Sequence, residues 1–295
     1  MASLGLILQQ IITGLSIGGQ LFLIAVGLSL IFGVLDVLNF AHGVLYMLGA
    51  YAVWKVTALF NSAFGSFWLG LVVAVVGVGL LGAAIEAGFI RRVYDREPLD
   101  QLLLTFTFVL IITDATRFFF GTGSHIVRPP KSLDFTIQLT SSLSIPAYRM
   151  FVIVMSIVVL GAIFAVLRST NIGRLVRATS SDRDMAALLG VDVPRLYTLV
   201  FFVGTALAAL GGGLAAPLFS VTPSLGNTVV INAFVIAVIG GLGSFTGAFV
   251  GAYLVGLSIA VGSLVVAGAG QLLPFVAMII VLLVKPEGLF GGAEA

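Results

Sequence analysis

The stretch Arg168–Arg195, RSTNIGRLVRATSSDRDMAALLGVDVPR, interrupts a chain that is otherwise almost free of charge. It holds five of the fourteen Lys/Arg residues and three of the twelve Asp/Glu residues. A charged side chain costs about 2.5–3.5 kcal/mol at the centre of a bilayer. This stretch therefore lies in water between two groups of membrane helices. Its arginines predict a cytoplasmic loop over residues 168–196, because positively charged loops are retained inside.

The composition predicts the fold class. Of the 295 residues, 60% are hydrophobic and only 9% are charged, whereas soluble domains carry roughly 25% charged residues. We therefore predict an all-α, polytopic membrane helix bundle that forms one transmembrane domain over residues 1–295. The basic residues fall in loops, which does not favour nucleic-acid binding. The chain has no cysteine, which excludes disulfides, thiolate metal sites and cysteine nucleophiles.

Apolar segments predict eight to ten membrane crossings, some of them short or re-entrant. These segments cover about 4–35, 44–60, 66–90, 102–120, 150–167, 197–219, 229–242, 247–266 and 271–284. The first would measure about 45 Å as a helix, more than the roughly 30 Å hydrocarbon core. One long tilted helix and a broken pair of helices both fit. Residues 121–148, which contain three prolines, predict an external loop.

Within the predicted cytoplasmic loop, residues 181–190 have the pattern of a short helix. Ser181 or Asp182 can act as the N-cap, an acidic residue follows in the first turn, and Gly190 can close the helix. Such a helix would present a small apolar knob in water, formed by Met185, Ala186, Leu188 and Leu189. An exposed apolar knob favours a docking surface, and a helix lying on the membrane surface is the alternative.

A second polar interruption separates the first two apolar segments. Asp36, Asn39 and His42 are spaced three residues apart and are followed by Gly43. Polar groups inside a membrane are candidates for function, and an unwound helix there would free backbone groups to bind a ligand near mid-membrane. Hydrogen bonding between helices is the alternative role for Asn39 and His42.

Glycines predict close helix contacts. Gly243, Gly247 and Gly251 stand at successive i+4 positions, which on one helix would form a smooth packing stripe. The triplet Gly211–Gly213 weakens a helix, and it fits either a packing surface or a flexing point.

Isolated charges near the ends of spans predict structural ion pairs or charges that snorkel to the interface. Asp114 and Arg117 are three residues apart on one helix face, and Glu86 precedes Arg91 and Arg92 by about one turn. Two histidines without an HExxH or CxxC pattern do not favour a catalytic metal.

The chain resembles the LivH-type permease subunits of branched-chain amino acid ABC importers. The resemblance covers nearly the whole chain from about residue 14. The segments that carry it are Asn39-Phe-Ala-His-Gly43, Tyr46-Met-Leu-Gly-Ala-Tyr51, Arg174-Leu-Val-Arg-Ala178, Asp184-Met-Ala-Ala-Leu-Leu-Gly190, Gly240-Gly-Leu-Gly-Ser244 and Lys285-Pro-Glu-Gly-Leu-Phe-Gly291. The first segment is quite specific to permeases for amino acids and related amides, including urea.

The resemblance implies that residues 182–190 form the coupling helix that sits in a cleft of an ATPase subunit. Asp184 takes the first place of the family's EAA-type motif and departs slightly from it. The implied ATPase-coupling residues are Arg177, Asp182, Asp184, Met185, Ala186, Ala187, Leu188 and Gly190. The implied substrate passage lies at Asn39, Phe40, His42 and Gly43.

The resemblance also implies the partners and the location. It predicts a second permease subunit, either homologous or another copy of this chain. It also predicts two ABC ATPase subunits, a periplasmic amino-acid-binding protein and a multi-pass location in the inner membrane. The sequence agrees on one point independently, because no GxxxxGK[ST] motif occurs in it. This chain therefore needs a partner to bind ATP, and no cofactor of its own is expected.

Three other functions remain open at this stage. The first is a permease of the same family for urea, amides or other amino acids. The second is an ion-coupled secondary transporter, for which Asp36, Glu86 and Asp114 are the candidate titratable groups. The third is an intramembrane enzyme that uses His42 with Asp36, although the sequence offers no partnered nucleophile.

Overall fold

The computed structural model describes residues 4–60, 63, 65–140, 143–265 and 269–291. Over these residues the chain is almost entirely helical. The α-helices are α1 Leu4–Leu35, α2 His42–Leu59, α3 Ser66–Gly88, α4 Pro98–Phe120, α5 Ala147–Ser169, α6 Asn171–Ser181, α7 Arg183–Leu188, α8 Val193–Ala215, α9 Leu225–Gly240, α10 Phe245–Val265 and α11 Leu273–Val284. Two 3₁₀ helices, Ile90–Val93 and Ala269–Gln271, and one antiparallel hairpin of β1 Thr136–Thr140 and β2 Leu143–Pro146 complete the described fold.

The lengths and compositions of the helices fit a bilayer. In the described part of the chain, α1, α3, α4, α5, α8 and α10 are long and apolar enough to cross a membrane, and α9 and α11 are apolar but shorter. Large apolar side chains are exposed along the outer helices, among them Val72 of α3, Leu110 of α4 and Ile279 of α11. An all-α polytopic membrane bundle is therefore confirmed.

Helix α1 is the central helix of the bundle. It packs against α5, α8, α9 and α10, and 83% of its most apolar window is buried inside the protein. It runs without a break over 32 residues, so of the two possibilities left open by the sequence, the single long helix is correct. Gly14 and Gly18 allow α10 to approach closely, because a methyl group on either glycine would lie 2.9 Å from a backbone Cα atom of α10.

The glycine triplet of α8 is a packing surface. All three residues lie inside the continuous helix α8. A methyl group on Gly212 would overlap the carbonyl oxygen of Tyr46 in α2, and one on Gly213 would lie 2.7 Å from the side chain of Leu71 in α3. The triplet therefore lets α8 approach the backbone of α2 and leaves room for the Leu71 side chain of α3.

The predicted single-helix stripe of Gly243, Gly247 and Gly251 is wrong in one respect. Gly247 and Gly251 lie in α10 and face α9, where Gly247 meets Gly240 and Gly251 meets Ile236. Gly243 instead lies in the turn before α10, with φ of +85°, and faces Gly33 of α1. Gly241 and Gly243 both adopt positive φ, so α9 ends before them and α10 begins only at Phe245. Gly243 is therefore four residues before Gly247 in sequence but not on the same helix.

The two ends of the bundle differ in charge. The end that carries α6 and α7, here called the basic end, holds nine of the fourteen Lys/Arg residues. They are Arg91, Arg92, Arg96, Arg168, Arg174, Arg177, Arg183, Arg195 and Lys285. The β1–β2 hairpin lies at the opposite end, where the Tyr148 hydroxyl donates to the carbonyl of Leu214 at 2.8 Å. Segment 121–148 is therefore partly a hairpin, and its strand β2 leads directly into α5.

Candidate functional site

The chain reverses direction between α1 and α2. Asp36 adopts φ of +54°, an uncommon conformation for a residue other than glycine, and residues 36–41 run back along α1. His42, the first residue of α2, consequently places its Nε2 atom 3.1 Å from the carbonyl oxygen of Ile24. A methyl group on Gly27 would meet both this ring and the carbonyl of Gly204. Because Gly204 is the middle residue of α8, α2 begins near the middle of the bundle.

Helix α9 begins at the same depth. Gly226, in its first turn, packs against Gly43 of α2, so closely that a methyl group on Gly226 would lie 2.8 Å from the Gly43 carbonyl oxygen. Neither helix has a side-chain cap: the N-cap residues Ala41 and Ser224 make no capping hydrogen bond. Two helix N-termini without side-chain caps therefore meet near mid-depth, each with the positive end of a helix dipole. Some of their first N–H groups, such as those of His42, Leu225 and Asn227, already donate to backbone carbonyls.

The four residues predicted for a substrate passage surround this junction. Asn39, His42 and Gly43 are buried and Phe40 is half-buried. The Phe40 ring lies 4.6 Å from the ring of Phe234 in α9. Among the described residues, neither amide atom of Asn39 has a hydrogen-bond partner, nor does Nδ1 of His42. The predicted unwound segment is present, and His42 also makes the interhelical hydrogen bond of the alternative interpretation.

The partner of this segment is a residue that the sequence did not reveal. Gly226 lies between the predicted segments 197–219 and 229–242, in the polar stretch Thr222-Pro-Ser-Leu-Gly-Asn-Thr228. This stretch indicates a break between two spans, but only the fold brings the start of α9 against Gly43, so the pairing of the two helix N-termini had no signal in the sequence.

Three side chains act as N-caps for the helices in and after residues 168–196, here called the basic loop. Thr170 accepts from the N–H of Gly173 at 3.1 Å at the start of α6, Asp182 accepts from the N–H of Met185 at 2.9 Å at the start of α7, and Asp192 accepts from the N–H of Arg195 at 3.2 Å at the start of α8. These are the N-cap interactions that favour a helix start at each position. The predicted short helix is therefore α7, with Asp182 rather than Ser181 as its cap.

Helix α7 exposes most of the predicted apolar knob. Leu188 is 82% exposed, Leu189 is 79% exposed and Met185 is 52% exposed. Ala186 was expected in this knob and is instead 2% exposed, because it is on the side of α7 that faces the bundle. Gly190 ends the helix with φ of +90°, and its N–H donates to the carbonyl of Ala187 at 3.0 Å.

The remaining predicted coupling residues differ in role. Asp184 and Ala187 are exposed on α7. Arg177 donates to the carbonyl oxygen of Leu167 near the end of α5, so it joins α6 to α5. A basic side chain at the last carbonyls of a helix also complements the helix dipole.

A buried carboxylate links this loop to the rest of the bundle. Glu86, with a fully buried side chain, lies 3.1 Å from Arg91 and accepts hydrogen bonds from the hydroxyls of Tyr94 at 2.8 Å and Thr198 at 2.7 Å. Arg91 also donates to the carbonyl of Pro194 at 3.1 Å. Burial, and the negative charge of Glu86, raise the pKa of the Tyr94 phenol, so this hydroxyl stays a donor.

These features define the class of the protein: a multi-pass membrane helix bundle whose discontinuous helices begin at mid-depth, an arrangement typical of transporters. The family described as "branched-chain amino acid transport system / permease component" matches residues 10–282. The chain belongs to this family, whose members are transport permeases of ABC importers.

Known relatives cover almost the full length. The chain is 30% identical, over 97% of its length and 96% of the relative, to the high-affinity branched-chain amino acid transport system permease protein LivH of Salmonella typhimurium. It is 28% identical, with the same coverage, to the corresponding protein BraD of Pseudomonas aeruginosa. It is 27% identical, over 92% of this chain and 88% of the relative, to a probable LivH of Methanocaldococcus jannaschii. No solved structure matches the chain.

Proposed function

We propose that this chain passes branched-chain amino acids through the inner membrane as the permease subunit of an ATP-driven importer. In this proposal the basic end is cytoplasmic, which the excess of Lys/Arg at that end supports. The observation that carries the coupling mechanism is helix α7, which exposes Leu188 and Leu189 on the same end of the bundle. Two leucines exposed to water form the kind of apolar contact that a partner protein buries.

The mechanism follows from how α7 is attached. ATP binding on two partner ATPase subunits would move α7, and the movement would reach α3 and α8 through Glu86 and Arg91, and α1 through α6. The half-helices α2 and α9 would then open alternately toward the two ends. A periplasmic binding protein would deliver the amino acid at the opposite end, where segment 121–148 lies.

The ion-coupled alternative has little support from the positions of its candidate groups. Asp114 is exposed and pairs with Arg117 at 3.0 Å near the end of α4. Glu86 accepts from three side chains at the basic end, and Asp36 is exposed in the reversal between α1 and α2. None of these three carboxylates lies at the mid-depth junction of α2 and α9.

The coupling proposal is tested with a tag on this chain. We expect an ABC ATPase to co-purify and its ATP hydrolysis to drive leucine uptake in reconstituted vesicles. Leu188→Glu and Leu189→Glu should abolish uptake and the co-purification while leaving the protein folded. Leu110→Met, on the exposed face of α4, is the control.

Uptake that continues at the normal rate with both charged variants would remove α7 from the mechanism. Uptake that an uncoupler abolishes while ATP is maintained would favour the ion-coupled transporter. Competition by isoleucine and valine, but not by urea, would establish the branched-chain substrate class.

A further inference from the structure

Helix α9 presents a polar face toward the outside of the isolated chain. Its exposed residues are Ser224 at the N-cap, Asn227, Thr228 and Ile231. With half-buried Phe234, three of these positions follow an i, i+4, i+7 line, because Asn227, Ile231 and Phe234 lie on one side of the helix. We call Ser224, Asn227, Thr228, Ile231 and Phe234 the α9 face.

The α9 face lies near mid-membrane, where contact between its polar side chains and lipid is unfavourable. Gly226 packs against Gly43 at the mid-depth junction, so Asn227 and Thr228 lie near the centre of the membrane. A side-chain amide in an apolar environment without a hydrogen bond costs about 1–3 kcal/mol. Lipid contact at this position is therefore unfavourable.

Two exposed or half-buried hydroxyls on other membrane helices avoid this cost by bonding within their own helix. Thr107 of α4 donates to the carbonyl of Leu103 at 2.9 Å, and Ser258 of α10 donates to the carbonyl of Leu254 at 2.7 Å. Within the described residues, by contrast, the side chains of Asn227 and Thr228 have no hydrogen-bond partner. Their partners must come from water, a ligand or another chain.

The chemistry of the face fits an amino acid zwitterion. The uncapped N-terminus of α9 attracts a carboxylate, and the Asn227 amide can accept from an ammonium group or donate to a carboxylate. The adjoining rings of Phe40 and Phe234, 4.6 Å apart, and the side chain of Ile231 offer an apolar surface for an aliphatic side chain. Helix α9 carries no charged residue, so the contact stays weak enough for release.

We infer that the α9 face is the wall that this chain contributes to the substrate pathway, and that a second permease subunit supplies the opposite wall. The inference rests on the proposed function, which it deepens by naming the substrate-contacting residues. In this inference the substrate contacts the exposed face of α9 rather than the buried residues Asn39, His42 and Gly43. The buried residues then position the two helix N-termini.

The absence of cysteine from the sequence permits a direct test in the assembled transporter. Single variants Asn227→Cys, Thr228→Cys and Ile231→Cys are treated with a water-soluble methanethiosulfonate reagent in membranes. Because the thiolate is the reactive form and requires water, we expect modification on the order of tenfold faster than at lipid-facing Ile111→Cys and Ile279→Cys. Leucine should slow the modification, and modification should block uptake.

A matched pair of substitutions separates a pathway role from a structural one. Thr228→Val and Thr107→Val each remove an exposed hydroxyl from an apolar helix. We expect Thr228→Val to raise the KM for leucine several-fold in a transporter that still assembles, and Thr107→Val to leave the KM unchanged. Equal effects would overturn the inference.

Two further outcomes would also overturn it. In the first, the cysteines on α9 react as slowly as those on the lipid-facing helices, while wild-type uptake is normal. The other is cysteines on α9 that cross-link to the second permease without any protection by leucine, which would indicate a dry subunit interface. Failure of the proposed function would look different from failure of this inference. In that case the wild-type protein itself would neither bind a partner ATPase nor take up leucine.

Discussion

The hydroxyl of Ser180 donates to the carbonyl oxygen of Gly33 at 2.7 Å. This bond joins α6, which leads into α7, to the last turn of α1, just before the chain reverses toward the mid-depth junction. Gly33 also packs against Gly243, in the turn between α9 and α10. A single residue at the end of α1, Gly33, therefore contacts both α6 and the turn that follows α9.

Ser180→Ala should weaken coupling without unfolding the protein. The lost hydrogen bond is exposed and contributes about 0.5–1.5 kcal/mol, so thermal stability should change little. Transport per ATP hydrolysed should fall, because α6 would no longer hold the end of α1. Neighbouring Ser181→Ala is the control, since its exposed hydroxyl has no partner in the described residues. Identical coupling ratios for the two variants would contradict this role.

Arg91→Ala should destabilise the folded protein, whereas Arg92→Ala should not. Without Arg91, the buried carboxylate of Glu86 keeps only two neutral donors, and an uncompensated buried charge is costly. Because Arg91 is partly exposed, we expect a loss of about 2 kcal/mol rather than the full value for a buried pair. The measurement is the thermal unfolding of the purified protein in detergent. Equal melting temperatures would indicate that water replaces the guanidinium.

Gly190→Val should disrupt the end of α7, and Gly190→Asn should be tolerated. The φ of +90° is strained for a β-branched residue, whereas asparagine adopts positive φ more readily. An added Cβ meets nothing within 4 Å, so any effect comes from the backbone rather than from a clash. Uptake and ATPase stimulation measure the effect, and comparable activity of the two variants would show that this turn is not required.

Gly43→Ala should separate the N-termini of α2 and α9. The added methyl group would overlap the carbonyl oxygen of Gly226 and lie 2.5 Å from Cβ of Val230, and two backbones cannot shift cheaply. We expect loss of transport and a lower melting temperature. Gly77→Ala is the control, because its added methyl group meets nothing within 4 Å and alanine favours a helix by about 1 kcal/mol. A melting temperature for Gly43→Ala at or above that of Gly77→Ala would refute the close packing.

Local patterns predicted the elements of this fold well, because each pattern acts within a few residues. Asp182 and Gly190 bound a short helix through an N-cap bond and a positive φ, and both requirements are visible as residue types. Ala186 was misplaced for the opposite reason. An alanine has no preference that distinguishes water from a protein interior, so only the packing of α7 against the bundle buried it.

The sequence by itself determined that this chain is a membrane helix bundle, where its charged loop lies and which family it resembles. The cost of charge in hydrocarbon and the preferences of helix ends are properties of the residues themselves. The tertiary structure alone decided that residues 36–41 turn back along α1 and that Gly226 meets Gly43. It also decided that Asn227 and Thr228 face outward at mid-depth. Contacts between residues nearly two hundred positions apart depend on how whole helices pack, and no short pattern encodes that arrangement.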